Sequence, residues 1–220
     1  QSYRFQWSVI TDNWHLLLAG AWIDVWISLV GFALACVIGL LVAFGRLSSV
    51  RAISGPAYAF VQVACGIPPY VLLLWIHFGL ANLLGLALTP VQSIVAVLAL
   101  TGGGYAAEIF RAGILAVDRG QFEAARSLGL GRRSVWSDVI LPQAVRVVVA
   151  PLGNVMISLL KSATLMGVIA VPDLLHRAQG INVMNFTPFE AFTAVLVIFV
   201  SMVFVISMLV LAIERALVHP

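Results

Sequence analysis

Lysine is almost missing from this chain. Lys161 is the only one, and acidic and basic residues together make up 10% of the 220 positions. A soluble domain carries about 25% charged residues, so the shortage argues against a water-soluble fold and for one embedded in lipid. A lone lysine preceded by Leu160 also rules out a phosphate-binding loop, which needs Gly-Lys-Ser or Gly-Lys-Thr after a glycine-led run. Cysteine is scarce too. Cys36 and Cys65 both lie in apolar runs, where a free thiol behaves as a small hydrophobe, so neither a disulfide nor a metal site is expected. No HExxH pattern and no triad-like grouping of serine, histidine and acid occurs, and an enzymatic role is not expected. The polar stretch ahead of the first apolar run has no basic start and no cleavage-like end, which does not fit a signal peptide.

What the chain has in plenty is hydrophobic residues, 62% of the total. Residues 1–20 are mixed, with Trp7, Trp14 and the pair Asp12-Asn13, and suit a short helix lying at the membrane interface, where tryptophan prefers to sit. A first span is expected over 21–44, longer than the roughly 20 residues a bilayer core requires. Along it Gly31, Ala35, Gly39 and Ala43 form a stripe of small residues that permits close helix contact in lipid. A second span, 56–84, is interrupted at Gly66-Ile67-Pro68-Pro69, a break tolerated only where protein or a water-filled cavity satisfies the freed backbone. The third, 91–111, contains Gly102-Gly103-Gly104, which implies a bend or a very close neighbour. The fourth, 147–168, is the most polar, with Pro151, Asn154, Ser158 and Lys161. After a polar stretch over 172–188, with Asp173, His176 and Arg177, a fifth span covers 189–212.

Arginine placement sets the orientation of these five spans. With the loop after span one, the loop after span three and the C-terminus on one side, that side holds nine arginines. The other side holds Arg4 and Arg177. The expected fold is thus an all-α integral membrane protein in one transmembrane domain over 1–220, N-terminus outside and C-terminus cytoplasmic.

The loop between spans three and four, 120–142, is far longer than the few residues that usually join helices in a bundle. Glu123-Ala124-Ala125-Arg126-Ser127-Leu128 reads as a helix stopped at Gly129, and a second short helix is expected over 132–141, closed by Pro142. Glu-Ala-Ala, three residues, Gly129, eleven residues and Leu141-Pro142 resemble the loop of the importer-type ABC transporter permeases. Ala107-Glu108-Ile109-Phe110-Arg111-Ala112-Gly113-Ile114 ahead of it and Leu141-Pro142-Gln143-Ala144-x-Arg146 after it are similar to the polar amino acid branch, the permeases for histidine, glutamine, glutamate, arginine or opines. The resemblance covers about 7–217. It departs from the family at Cys65-Gly66-Ile67-Pro68, where Arg-Gly-Thr-Pro is frequent, and at Ser162 and Ala163, where an acid and a threonine are usual.

The resemblance implies a type I ABC importer fold in the cytoplasmic (inner) membrane of a bacterium, carrying polar or charged amino acids or related compounds by alternating access. It implies a second permease subunit, the same chain or a homologous one, two cytoplasmic ATPases that bind ATP and Mg, and an extracytoplasmic substrate-binding protein. No cofactor in this chain and no nucleic-acid partner are expected. The cytoplasmic loop 120–142 would hold the coupling helix, with Glu123, Ala124, Ala125, Arg126 and Gly129 meeting the ATPase. The adjacent alanines allow close approach. Candidates along the substrate path are Lys161, Glu108, Asn154 and His77. For each a purely structural role competes: an i,i+3 ion pair of Glu108 with Arg111, a packing role for Lys161, a satisfied core group for His77. An ion-gradient-driven carrier or channel subunit, with Lys161 and Glu108 as ion-linked groups, is the rival reading.

Overall fold

The computed structural model describes residues 5–218, so Arg4 and the start of the expected interfacial segment lie outside the described residues. The described residues are almost entirely helical and contain no strand. Helix α1, Ser8–Arg46, runs 39 residues without a break, about 58 Å at 1.5 Å per residue. From Ser8 on, the segment expected as a separate helix over 1–20 is continuous with the helix of the first span. No proline occurs before Pro56 to stop it.

Helix α2, Arg51–Gly66, starts five residues earlier than Pro56, which sits inside its second turn. It ends at Ile67 and Pro68, and the chain resumes as α3, Pro69–Leu74, running through a π-helical stretch at Trp75–Leu80 into the short α4, Ala81–Leu83. The chain bends by 103° between the two arms of this pair. Helix α5, Pro90–Leu115, opens on a capping box in which Thr89 accepts from the Gln92 amide and Gln92 reaches back to the Thr89 amide.

Helix α5 is the hub, and its three consecutive glycines explain why. The helix is not bent there; each glycine faces a different neighbour. A Cβ on Gly102 would lie 2.8 Å from Ala35 Cβ of α1, on Gly103 2.8 Å from Ile38 of α1, and on Gly104 2.8 Å from Ala64 of α2. The small-residue stripe of α1 answers from the other side, with all four of its members buried. A Cβ on Gly31 would meet Leu98 at 2.6 Å, and one on Gly39 would meet Ala106 at 2.6 Å. The pairs 31 with 98, 35 with 102 and 39 with 106 advance together, so α1 and α5 are parallel. Two parallel neighbours require the intervening α2–α4 to carry the chain back across, which makes the bent pair a span and brings the number to five.

Beyond α5 come α6, Arg119–Ser127, and α7, Arg132–Ser134. Helix α7 passes through a π-helical stretch, Val135–Ile140, straight into α8, Leu141–Ala163, and a 3-10 tail ends at Ile169. The expected stop at Pro142 does not occur. Proline sits at the first turn of α8, and the wider π turn ahead of it absorbs the missing amide. The Gln143 side chain donates to the Val139 carbonyl at 2.9 Å beside the same irregularity. The 38 residues from Arg132 to Ile169 thus form one rod. Helix α9, Leu174–Asn185, precedes α10, Pro188–Val218, whose most apolar window is nowhere buried within the chain. Phe189 packs edge-on against Phe5 and Trp7, which sets the start of α10 beside the start of α1.

Asp24 is fully buried in α1, and its Oδ2 accepts from the Leu174 amide at 3.2 Å. Asp173 caps the same helix end, its Oδ1 accepting from the His176 amide at 2.7 Å. Helix α9 is therefore held at its N-terminus by one local and one distant carboxylate. Burial pushes the Asp173 carboxyl up to about 6.

Two outcomes follow. Gly39→Ala should lower the thermal midpoint in detergent by the equivalent of about 1–3 kcal/mol of overpacking. Gly55→Ala, with nothing within 4 Å of its added methyl, should not. Because Asp173 binds its proton more tightly in the folded chain than in the unfolded one, its contribution is fully present below the ordinary carboxyl range and is lost as pH rises through about 6. Asp173→Asn keeps a capping side chain and should flatten this part of a pH–stability curve.

Candidate functional site

Two regions carry the polar chemistry, and α8 joins them. The first is the loop between α5 and α8. Asp118 caps α6 by accepting from the Gly120 amide, and the helix ends in a Schellman turn. There Leu130 donates to the Ala125 carbonyl at 3.2 Å and Gly129 donates to that of Arg126 at 3.0 Å. Gly129 holds φ at +77°, the left-handed value that favours glycine.

The loop has a small core of its own. Ala125, Val135 and Ile140 are buried together, with Val117, Phe122, Trp136 and Val139 packed around them. This separates the two alanines. Ala125 faces inward, so only Ala124, with Glu123, is on the outer face of α6 and open to a partner. Arg126 lies on that helix with its guanidinium 5.7 Å from the Phe122 ring. Leu128, not singled out in the sequence, is 81% exposed at the tip and is the most exposed large apolar side chain of this loop. Only the Gly129 turn explains its position; its side chain alone looks like one more leucine. Trp136 meets Phe44 edge-on at 6.5 Å, tying the loop to the end of α1.

The second region is an open cavity of about 740 Å³ lined by the break in α2–α3, one face of α5 and one face of α8. Tyr105 and Glu108 line it from α5, and Asn154, Ser158 and Ser162 line it from α8 at helical spacing. Cys65 and Gly66 line it from the last turn of α2, where a helix leaves carbonyls without an internal partner. Thr101, also lining it, is buried with a hydroxyl that has no partner among the described residues.

Of the four substrate-path candidates, the fold gathers two. Asn154 and Glu108 line the cavity. Lys161 is exposed and is not among the lining residues, although it stands seven positions after Asn154 and one before the cavity-lining Ser162. His77 also lies elsewhere, its Nδ1 2.9 Å from the buried Ser93 hydroxyl, a satisfied packing group. Glu108 pairs with Arg111 as the i,i+3 spacing predicts, accepting from Nη2 at 2.7 Å. Its other oxygen accepts from Arg46 Nε of α1 at 3.0 Å. Arg46 in turn lies 4.7 Å from the Tyr58 ring of α2. One carboxylate thus ties α1 to α5, and α2 joins through the ring.

Comparison with known proteins agrees with this geometry. Residues 35–219 match the family described as "Binding-protein-dependent transport system inner membrane component". The chain is 35% identical over 213 residues to the glutamine transport system permease protein GlnP of Escherichia coli K12, covering 96% of this chain and 97% of that one. It is 34% identical over 180 residues to the L-cystine transport system permease protein TcyB of Bacillus subtilis, covering 81% and 76%. A crystal structure of an amino acid ABC transporter with histidines superposes with a TM-score of 0.89 at 31% identity, over 97% of this chain and 100% of that one.

Asn154→Leu and Ser158→Leu place apolar bulk in the cavity at exposed positions. Each should cut transport into reconstituted vesicles at least tenfold while the thermal midpoint stays at the wild-type value.

Proposed function

The chain belongs to the family of binding-protein-dependent transport system inner membrane components, as a permease subunit of an ABC importer, and from that premise we propose that its cargo is a polar or charged amino acid or a close relative of one. The names of the similar permeases, for glutamine and for cystine, support the cargo class. Family membership assigns ATP hydrolysis to a separate subunit and substrate capture to a separate binding component.

The assembly contains two permease subunits, this chain twice or with a homologue, because five spans enclose too little surface to form a path alone. Two ATPases on the cytoplasmic side hold ATP and Mg, and a binding protein delivers cargo to the opposite face. The arginine asymmetry supports an N-terminus outside and a C-terminus in the cytoplasm of a bacterium, across its inner membrane. The ATPase receives the outer face of α6, with Glu123 and Ala124 in its groove, Arg126 at the rim, Leu128 as apolar anchor and Gly129 setting the turn. The observation that carries this reading is the unbroken rod from Arg132 to Ile169. It begins in the docking loop and lines the cavity with Asn154 and Ser158. Movement of the ATPases therefore reaches the cargo site through a single helix, and the spans alternate access around a midplane cavity.

An ion-gradient-driven carrier finds little support in the same residues, since Glu108 is doubly paired and Lys161 lies outside the cavity.

Glu123→Lys should leave membrane insertion and thermal stability intact while abolishing substrate-stimulated ATPase activity of the purified complex. Normal coupling in that variant would remove α6 from the docking role.

A further inference from the structure

We propose that the loop between α5 and α8 binds the phosphate headgroup of an anionic phospholipid, held by Arg126 and Arg132 beside Trp136. The site shares its loop with the docking role proposed above and rests on the orientation given there, but its ligand is the membrane.

A pocket of about 460 Å³ opens between α6 and the start of the long rod. Phe122, Arg126 and Leu130 line it from the α6 side, and Arg132, Val135 and Trp136 from the other. Two guanidiniums thus share one concavity. Among the described residues neither belongs to an ion pair, since both such pairs there are made by Glu108. No acid lines the pocket. Asp118 accepts from the Gly120 amide, Asp138 accepts from the Ser137 hydroxyl, and Glu123 lies on the outer face of α6. Against these three acids stand Arg119, Arg126, Arg132, Arg133 and Arg146, so residues 118–146 keep an excess of two positive charges. Arg126 lies 5.7 Å from the Phe122 ring, which steadies the guanidinium and leaves its N–H donors free. Paired guanidinium forks suit the oxygens of a phosphate.

The level of the pocket selects the membrane as the source of that phosphate. Trp136 meets Phe44 edge-on at 6.5 Å, two residues before α1 ends at Arg46. The pocket therefore lies where the first span leaves the bilayer, the depth at which tryptophan and headgroups mix. Basic pockets at the cytoplasmic ends of spans take anionic headgroups. An acidic side chain of the ATPase is the competing anion, and the phase of α6 argues against it. At about 100° per residue, Phe122 and Arg126 fall on one flank of the inward-facing Ala125, and Ala124 and Leu128 fall on the other. The pocket opens on the first flank, away from the groups offered to the ATPase. A headgroup bridging Arg126 and Arg132 would clamp α6 to the foot of the rod across the turn at 129–131, so that lipid composition tunes coupling.

The experiment titrates the delipidated permease–ATPase complex with phosphatidylglycerol or phosphatidylcholine and counts bound lipid by native mass spectrometry. Wild type should bind phosphatidylglycerol at least tenfold more tightly than phosphatidylcholine. Arg132→Gln should remove that preference. Arg133→Gln makes the same charge change at an exposed residue outside the pocket and should keep it. Should Arg132→Gln not assemble, Leu130→Glu sets a carboxylate at the exposed edge of the pocket and should have the same effect. In nanodiscs, adding phosphatidylglycerol to phosphatidylcholine should raise substrate-stimulated ATPase activity at least threefold in wild type and Arg133→Gln, and not in Arg132→Gln. Equal lipid binding by the two arginine variants overturns the site. An Arg132→Gln permease that keeps its lipid but loses its ATPase overturns it too, and gives the pocket to a protein carboxylate. Stimulation reproduced by millimolar inorganic phosphate without the lipid overturns the membrane as source. Lipid counts are read without turnover, so their failure leaves the docking of α6 standing, and normal coupling in Glu123→Lys removes that docking without touching the counts.

Discussion

Everything in this fold depends on how closely α5 can be approached. Between helices in lipid there is no hydrophobic drive, because the acyl chains are as apolar as leucine, and association rests on packing and on polar contacts. Gly102, Gly103 and Gly104 remove three side chains at one level of α5, and Ala35, Ile38 and Ala64 fill the space from two other helices. A triple glycine costs helix propensity of about 1 kcal/mol per residue in water. Here that cost is offset by contact on several sides at once, and the cavity opens directly toward the end of the helix where Tyr105 and Glu108 follow.

Polar contacts then lock what close packing brings together. Glu108 with Arg46 and Arg111 fastens one end of the α1–α5 pair. Asp24 on the Leu174 amide fastens α1 to α9. Both locks pair a buried or half-buried charge with a group from a distant part of the chain, as the absence of water inside a membrane demands.

This distance explains what was legible in the sequence and what was not. Five spans, the break at Gly66–Pro69, the small-residue stripe on α1 and the Gly129 stop are all local signals, carried by residue type and spacing, and each appears in the fold. The i,i+3 pair of Glu108 with Arg111 was legible for the same reason. Arg46, 62 positions from Glu108, and Leu174, 150 positions from Asp24, were not. No local pattern encodes a partner that folding alone delivers. Pro142 misled because proline usually ends a helix, and nothing in the neighbouring residues announces the π turn that lets it open one instead. Lys161 illustrates a different point: rarity inside a span marks a residue as important, yet the cavity takes Asn154, Ser158 and Ser162 from α8 and leaves the lysine out of its lining. Ala124 and Ala125 look alike, and only the small core beneath α6 tells them apart.

A continuous helix of 38 residues has a mechanical property that a hinged one lacks. Spanning about 57 Å, it behaves as a crank: a tilt of about ten degrees around its middle sweeps each tip by about 5 Å, and the points where it could give are the π turn at 135–140 and Pro151, which lacks a backbone amide. The π turn before Pro142 thickens the shaft without severing it. How much of a push at the level of Arg132 arrives at Asn154 is then set by the stiffness of those two points.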